Sequence, residues 1–495
     1  MDSTLRPALI LGSGKAAAFL ATFFIPIVLV RMFAPAEFGT YKQIFLIYST
    51  VYLIAQFGMA ESLFYFLPSA PHEAGKLISN SLLTPGLTGL LSLAGLVLAG
   101  PAIARGLSNP ELSAYIPLLG VYLFLMIFGS AMEIIMIARK HYGLGATAFA
   151  ASDLLRAALF LIPVAFFRSL GPLLWGAVAF AVLRTLYLLS YLLKHFKGTL
   201  RPDAALLRRQ LGYALPFGLS VLFEIVQGNY HHYAVSHRFD SARFAVYSVG
   251  CLQVPLVDFL AAPLASVLMV RMSEMLRQGD DGALLPLWHD AVRKLALIFL
   301  PLVACLLMVG RPLILLLFTP AYAASVPIFM VWTLTIMSAV FPTDAVLRVF
   351  AATRFLLLLR VFTLVVIVLL IGWAMTTFSL MGAVLVSALA SLLTKWIGLR
   401  RVRRLLKLPL GDLLPWRSLL LIGSVSVLAT VPGLILNSVL SGALLLVAGG
   451  ASYVGLYAAL LLGFDLLTSE ERAALRVALH RLAAGFTRIV AWKTS

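Results

Sequence analysis

The sequence contains few charged residues for its length. Asp, Glu, Lys and Arg together account for 12% of the 495 residues, whereas hydrophobic residues account for 61%. A soluble globular protein carries about 25% charged residues. The formal net charge is nevertheless +18, which in a soluble chain would suggest nucleic acid as a partner. Here the charges lie between long apolar stretches, so the composition favours a membrane protein and argues against nucleic-acid binding.

Cysteines and cofactor-binding motifs are also scarce. The two cysteines, Cys251 and Cys305, lie in apolar stretches without the spacing of a metal site, so we interpret both as small buried residues that form no disulfide. The sequence has no P-loop, no paired Cys/His cluster and no exposed-serine elbow. It therefore predicts no cofactor and no metal, and it does not indicate an enzyme. Any transport would use an ion gradient, the gradient of the cargo itself, or no energy source.

Apolar stretches of about 20 residues, the length that crosses a bilayer as a helix, recur along the whole chain. The sequence therefore predicts an all-α polytopic membrane protein. The fourteen predicted spans lie near residues 8–33, 41–67, 81–104, 115–138, 146–167, 171–193, 211–235, 243–270, 293–318, 326–350, 355–378, 380–399, 418–437 and 441–463.

Lys and Arg are concentrated on one side of this predicted topology. The densest group lies at residues 400–407, whereas the loops on the opposite side hold few basic residues. Cytoplasmic loops carry the excess of Lys and Arg, and the number of spans is even, so we expect both termini in the cytoplasm. The connectors are short, so any chemistry must take place within the membrane or at its surface.

Two segments of the chain resemble each other. Residues 35–41 (PAEFGTY) match residues 241–247 (SARFAVY) at an offset of 206. A second match, at an offset of 210, pairs Pro110, Ala114 and Pro117 with Pro320, Ala324 and Pro327. We predict two six-helix lobes, 1–193 and 194–399, related by an axis along the membrane normal. Residues 400–463 would then add a basic loop and two extra helices.

The tail, residues 464–495, differs from the rest of the chain. Thr468 and Glu471 have the spacing of a helix-capping box. The apolar residues that follow form one helical stripe, and the arginines lie mostly outside it. This pattern predicts an amphipathic basic helix that lies on the cytoplasmic surface of the membrane.

Ionisable residues inside predicted spans are functional candidates, because a charge in the membrane is costly and usually faces protein or water. Asp153 and Arg156 are three residues apart on one predicted helix, where they can pair locally, and Arg184 or Glu133 could extend that pair. A purely structural pair is one interpretation of this group, and a functional site is the other.

Four further ionisable residues have no oppositely charged neighbour on their own predicted helix. They are Lys15, Glu61, Glu224 and Asp258. We interpret them as residues that face a cavity, with structural pairing between helices as the alternative. Lys15 is the only Lys or Arg in the body of the first and seventh predicted spans.

We expect a short connector after the first span, and it carries the motif Pro35, Phe38, Gly39 and Tyr41. Together with the fourteen spans and the six-plus-six repeat, this motif resembles the polysaccharide-transport flippases of the multidrug/oligosaccharidyl-lipid/polysaccharide (MOP) superfamily. The resemblance implies two lobes around a central cavity that opens to one side of the bacterial inner membrane at a time.

The resemblance also implies a cargo and partners. The cargo would be an oligosaccharide joined through pyrophosphate to a polyprenyl lipid, and the partners would include the lipid bilayer, polysaccharide polymerases and glycosyltransferases. Lys15, Arg156 and Arg184 would then be the cavity cations that meet the pyrophosphate. Glu61, Glu224 and Asp258 would be coupling or gating acids.

Two alternatives remain open at the level of the sequence. The spans contain six acids and three bases, and an excess of acids would suit a proton- or cation-coupled multidrug extruder of the same superfamily. A membrane-embedded glycosyltransferase or polymerase is the other alternative. Short connectors count against it, since such enzymes typically need a sizeable loop outside the membrane.

Overall fold

The computed structural model describes residues 22–409, 411–469 and 471–472. Within these ranges the regular structure consists of α-helices and short 3-10 helices, and there is no β-strand. The all-α prediction is therefore confirmed. Residues 22–29 are helical. The α-helices that follow are α1 (Pro35–Gln56), α2 (Met59–Ser69), α3 (Ala74–Gly106), α4 (Leu112–Phe128), α5 (Met132–Ala138), α6 (Tyr142–Phe167), α7 (Leu170–His195), α8 (Ala204–Arg238), α9 (Ser241–Gly250), α10 (Pro255–Gln278), α11 (Leu284–Phe318), α12 (Ser325–Leu334), α13 (Thr343–Val349), α14 (Thr353–Phe378), α15 (Leu380–Leu405), α16 (Trp416–Leu428), α17 (Val431–Leu436) and α18 (Gly442–Gly463).

The helical segments account for the predicted spans in the described ranges. Twelve are long and apolar enough to cross a membrane, and a thirteenth consists of Ala204–Pro216 and Val221–Arg238, bent by 43° within α8. These thirteen correspond to the second to fourteenth predicted spans. The first predicted span, 8–33, begins outside the described residues.

The motif that we expected to form a connector instead opens a helix. Pro35 is the first residue of α1, and Ala34 before it is extended, with φ −64° and ψ 154°. Proline suits this position because the first turn of a helix leaves its N–H groups unpaired and because the ring fixes a helical φ. The prediction of a loop through residue 41 was therefore wrong, and only residues 30–34 connect the two helices.

The predicted continuous span 243–270 is also wrong, because it is interrupted. Helix α9 ends at Gly250 and α10 begins at Pro255. Proline removes a backbone donor and disfavours a helical conformation in the preceding residue. Val254 is accordingly extended, with φ −98° and ψ 104°.

The second predicted span, 41–67, contains a break in its middle. Phe57 and Gly58 both have left-handed backbone conformations, with φ of 48° and 70°, and they separate α1 from α2. A non-glycine residue such as Phe57 rarely adopts this conformation. The break leaves irregular backbone inside a span, which is tolerated where it is buried in protein or lines a water-filled cavity.

The chain divides into two compact units, which we describe separately. Unit 1 contains the described residues up to Leu252 together with Leu317–Ile328 and Leu357–Ala390. One of its buried clusters is formed by α2, α3, α5 and α7, with Leu63, Ile78 and Leu188 among the residues that are fully buried. The predicted lobes 1–193 and 194–399 follow the sequence repeat rather than these contacts, and they stay a prediction.

Unit 2 contains Gln253–Leu316, Phe329–Leu356 and the described residues from Ser391 onward. Its core surrounds the fully buried Trp288, whose Nε1 donates to the Leu413 carbonyl at 2.8 Å. Along α11, the hydroxyls of Tyr453 and Tyr457 in α18 donate to backbone carbonyls, each at 2.9 Å. These bonds fix the last span against α11.

The start of the tail contains the predicted capping box. The Thr468 backbone N–H donates to Glu471 Oε2 at 2.9 Å, and the Glu471 N–H donates to Thr468 Oγ1 at 3.3 Å. Glu471 also pairs with Arg293 of α11 at 2.5 Å. The remainder of the predicted tail helix lies outside the described residues.

Candidate functional site

Four charged residues in the interior of unit 1 form two ion pairs. The first joins Arg184 of α7 to Glu133 of α5 through two parallel contacts, Nη1 to Oε1 at 2.6 Å and Nη2 to Oε2 at 2.7 Å. The side chains are 10% and 6% exposed. Two parallel bonds are the strongest geometry that an arginine and a carboxylate can adopt. Arg184 also donates to Ser152 Oγ of α6 at 3.2 Å.

The second pair lies within α6, where Arg156 contacts Asp153 one turn earlier. This confirms the local pair that the sequence spacing predicted. Arg156 Nη2 also donates to Thr22 Oγ1 at 2.5 Å, so the guanidinium links α6 to the described end of the first span. Both charged side chains are about one-fifth exposed, at 20% and 21%. We call Glu133, Asp153, Arg156 and Arg184 the ionic cluster.

Three tyrosines lie beside the ionic cluster. The ring of Tyr48 in α1 stacks on Tyr52 at 5.4 Å and on Tyr122 of α4 at 4.9 Å, with interplanar angles of 15° and 24°. Tyr52 is within electrostatic range of Arg184, and Tyr48 is within range of Arg156. We call these three residues the tyrosine stack. They were not among the predicted site residues, although Tyr48 and Tyr52 are four residues apart and so share a helix face.

Glu61 lies near the tyrosine stack and has a buried oxygen atom. It is in the first turn of α2, directly after the break at Phe57 and Gly58, and it is within electrostatic range of Tyr52. Its Oε2 atom is buried and has no hydrogen-bond partner among the described residues. A buried carboxylate oxygen without a partner is destabilising when ionised. A hydrogen-bond donor or a cation brought to it would remove that cost.

The break beside Glu61 is in contact with the bend in α8. A Cβ atom added to Gly218 would lie 2.9 Å from the Phe57 carbonyl oxygen. Gly218 falls between the two straight parts of α8, Ala204–Pro216 and Val221–Arg238. Two interrupted helices therefore touch at their interruptions, and a side chain at position 218 would force them apart.

The remaining predicted site residues do not join the ionic cluster in the described ranges. Lys15 lies outside the described residues. Asp258 falls in α10, and its side chain lies outside what the structure describes. Glu224 is on α8 beyond the bend, where its side chain is exposed, and no polar contact joins it to the ionic cluster in the described part of the chain. Of the six predicted residues, the structure thus places Arg156 and Arg184 in the ionic cluster and Glu61 within electrostatic range of Tyr52 in the tyrosine stack.

The motif residues have packing roles. Phe38 is fully buried and its ring meets Tyr322 edge-on at 5.8 Å. Gly39 lies against Ser241, the first residue of α9. Tyr41 packs on Phe38, with ring centroids 5.6 Å apart. No group of three or more His, Cys, Asp or Glu side chains in the described ranges could hold a metal ion.

Several solved structures have a similar fold. The lipid II flippase MurJ in an inward closed conformation has a TM-score of 0.67 and 13% identity, with 90% of this chain and 97% of that chain covered. A multidrug resistance MATE family transporter in an inward-facing conformation has a TM-score of 0.64 and 16% identity, covering 79% and 95%. A MOP superfamily transporter from Pyrococcus furiosus has a TM-score of 0.57 and 14% identity, covering 81% and 95%.

These similarities define the class: a multi-pass membrane protein with the fold of the MOP superfamily transporters. The family model described as "Polysaccharide biosynthesis protein" matches residues 28–327, which is more than half of the chain. The chain belongs to this family. No curated protein matches the sequence.

Proposed function

We propose that the protein is a flippase that moves a polyprenyl-pyrophosphate-linked oligosaccharide from the cytoplasmic to the outer leaflet for polysaccharide biosynthesis. The ionic cluster is the observation that carries the proposal. A pyrophosphate in the membrane needs fixed positive charge in a hydrated site. Arg156 is partly exposed and held between Asp153 and Thr22. Asp153 compensates the arginine charge, and the Thr22 hydroxyl accepts one of its N–H groups.

In this proposal the two arginines of the ionic cluster have different roles. Arg184 is almost fully buried and bound twice by Glu133, so we assign it to positioning α5 and α7. Arg156 would exchange its contacts with Asp153 and Thr22 for phosphate oxygens. Arginine suits this exchange because its planar guanidinium binds a phosphate through two N–H groups.

Lys15 would supply the second cation. It precedes Thr22 by seven residues, or about two helical turns, so both residues fall on one face of the predicted span 8–33. Thr22 contacts Arg156, which supports a shared site for Lys15 and Arg156. The tyrosine stack would receive the sugar, since a tyrosine offers an apolar ring face together with a polar hydroxyl.

The acids would couple transport to its energy source or gate the path. Glu61 is the favoured coupling acid because its Oε2 has no partner in the described part of the chain. Glu224 and Asp258 would act as gating acids in an alternating-access cycle. The protein would not be an enzyme and would work in the bacterial inner membrane with both termini in the cytoplasm. Glycosyltransferases would supply its cargo and a polysaccharide polymerase would consume it.

The test is export of lipid-linked oligosaccharide in cells that depend on this protein. Lys15→Ala and Arg156→Ala should each abolish export while the protein stays at normal abundance, and Lys15→Arg should retain much of it. Arg105→Ala is the matched control, because Arg105 is exposed at the end of α3 and donates only to Pro101 of its own helix in the described ranges. Normal export by both alanine variants would refute the proposed pyrophosphate site.

A proton-coupled multidrug extruder is the second candidate, and Glu61 is the observation that favours it. Its buried Oε2 has no hydrogen-bond partner in the described part of the chain, and the fold is shared with a MATE family transporter. Efflux of a cationic dye from whole cells separates the two functions. Dye efflux that requires Glu61, with unchanged oligosaccharide export in a deletion strain, would establish the extruder instead.

A further inference from the structure

A cavity of about 620 Å³ lies in unit 1 apart from the ionic cluster. This volume falls in the range of about 300–1,000 Å³ that is typical of small-ligand sites. Its lining comes from the last turns of α3, α8 and α14, and it shares no residue with the ionic cluster or the tyrosine stack. The cavity therefore lies where three helices end at one boundary of the transmembrane region.

Two walls of the cavity are fixed to each other by hydrogen bonds. His237 Nδ1 at the end of α8 donates to the Gly106 carbonyl of α3 at 2.7 Å. Behind it, the buried Gln43 of α1 donates to the Leu107 carbonyl at 3.0 Å and to Ser236 Oγ at 2.7 Å. These bonds join α1, α3 and α8 at one level, so this side of the cavity is preformed.

The third wall is apolar. Helix α14 contributes Val368, Ile371, Gly372 and Met375. A Cβ atom added to Gly372 would meet nothing within 4 Å, so the space beside this glycine is open. The tyrosines Tyr230 and Tyr233 of α8 face the same space, and tyrosine is enriched where apolar chains meet polar headgroups.

A single guanidinium lies at the mouth of the cavity. Arg238 is the last residue of α8 and the sole Lys or Arg among the lining residues. Its side chain is exposed, and within the described ranges it makes no hydrogen bond or ion pair. The cavity thus combines an apolar interior with one available positive charge at its polar end.

We propose that this cavity binds an anionic glycerophospholipid of the phosphatidylglycerol type. Its phosphodiester would meet Arg238, and one acyl chain would lie along Val368, Ile371 and Gly372. A phosphodiester carries one negative charge, which a single guanidinium balances. A polyprenyl pyrophosphate carries more charge than Arg238 alone can balance, so the cargo is a poorer match. This lipid site is independent of the proposed cargo.

The experiment counts lipids bound to the full-length protein by native mass spectrometry. Phosphatidylglycerol is titrated into detergent micelles against phosphatidylcholine at constant total lipid. We expect one phosphatidylglycerol to bind in preference to phosphatidylcholine. Arg238→Gln should weaken that binding about tenfold in Kd, as expected for the loss of a charge-assisted contact. Arg238→Lys should retain most of it.

The matched control for charge is Arg243→Gln. Arg243 is also exposed at this end of unit 1, but it pairs with Asp240 and lies over the ring of Phe239. Equal losses in Arg238→Gln and Arg243→Gln would overturn the proposal, because they would show a general effect of surface charge. Equal binding of phosphatidylcholine would overturn it as well.

The apolar part of the site is tested by placing a larger side chain in the open space beside Gly372. Gly372→Leu should reduce phosphatidylglycerol binding about as strongly as Arg238→Gln, whereas Gly450→Leu should leave it unchanged. Gly450 is a helix glycine in unit 2, and a Cβ there also meets nothing within 4 Å. Unchanged binding in Gly372→Leu would overturn the site. Displacement of phosphatidylglycerol by an equimolar polyprenyl phosphate would identify the carrier lipid as the occupant and would also overturn the proposal.

Discussion

Gly39 of α1 lies directly against the backbone of Ser241, and a Cβ atom added to Gly39 would be 1.8 Å from the Ser241 carbonyl oxygen. Gly39 belongs to residues 35–41 and Ser241 to residues 241–247, the two segments that match at an offset of 206. The two copies therefore pack against each other inside unit 1. One helix–helix contact is thus formed by two segments of similar sequence.

The first prediction follows from this contact. Gly39→Ala should destabilise the protein by about 3 kcal/mol or more, the upper end of the usual cost of overpacking. The reason is that the opposing atom belongs to the backbone and cannot rotate away. The measurement is the thermal midpoint of the protein in detergent, together with its abundance in the membrane. Gly95→Ala in α3 is the control, since a Cβ there meets nothing within 4 Å. Equal midpoints for the two variants would contradict this prediction.

The second prediction concerns the buried pair. Glu133→Gln or Arg184→Gln should each cost about 3–5 kcal/mol, because the remaining charge is left buried without its partner. The double variant should cost less than the two single variants together, with a coupling of about 0.5–3 kcal/mol. A double-mutant cycle on thermal midpoints measures this.

The control for the buried pair is Asp290 with Lys294, which are 2.6 Å apart but 40% and 44% exposed. Lys294→Gln should change stability by less than about 1 kcal/mol. A strictly additive double variant of Glu133 and Arg184 would show that the two side chains do not depend on each other.

The third prediction concerns Glu61. Glu61→Gln should leave abundance and the thermal midpoint unchanged or slightly raised, because the neutral amide removes the cost of a buried carboxylate oxygen. Transport of the lipid-linked oligosaccharide, driven by a pH gradient in inside-out vesicles, should fall to background. Glu274→Gln, at an exposed position of α10, should transport normally. Full pH-driven transport by Glu61→Gln would exclude this residue as the coupling acid.

The fourth prediction concerns pH and Asp203, which caps the N-terminus of α8. The backbone N–H of Leu206 and the ammonium of Lys76 stabilise the carboxylate and lower the pKa of Asp203 below its ordinary value of 3.8. A lowered pKa means that the folded state favours the ionised form. The stabilisation is therefore present above the ordinary value and is lost as the pH falls through the folded-state pKa.

The measurement for Asp203 compares the wild type with Asp203→Ala. The alanine variant should have the lower thermal midpoint near neutral pH, and the difference should narrow as the pH falls below about 4. Asp203→Asn should retain much of the stability at all pH values, because asparagine is also a good helix cap. A difference that stays constant down to low pH would show that the charge of Asp203 contributes nothing.

The positions of the spans could be predicted because each one is a long apolar stretch, and the Asp153–Arg156 pair could be predicted because its spacing is local. Arg184 and Glu133 are 51 residues apart in sequence, and no pattern in either helix indicates that they meet. The interruption before Pro255 was visible in the sequence as a proline inside an apolar stretch. Hydropathy alone does not register such a break, because it does not count a lost backbone donor.

The uncharged polar residues were the least predictable. Gln43 and Asn109 are buried and bonded to each other at 2.6 Å, yet each looks unremarkable in its own segment. Their role depends on helices that the sequence cannot place side by side. The same holds for the tyrosine stack, in which Tyr122 comes from a different helix than Tyr48 and Tyr52.

The contact between Gly218 and Phe57 also has a mechanical consequence. Helix α2 has 11 residues and starts directly after this contact, and it is about 16 Å long. A rotation of about 10° there would carry its far end through about 3 Å, roughly the width of a water molecule. Glu61 lies within one turn of the pivot and would hardly move. Because Leu63 and Leu67 hold α2 in the buried cluster of unit 1, such a rotation would have to move that cluster as well, while Glu61 would stay close to the bend in α8.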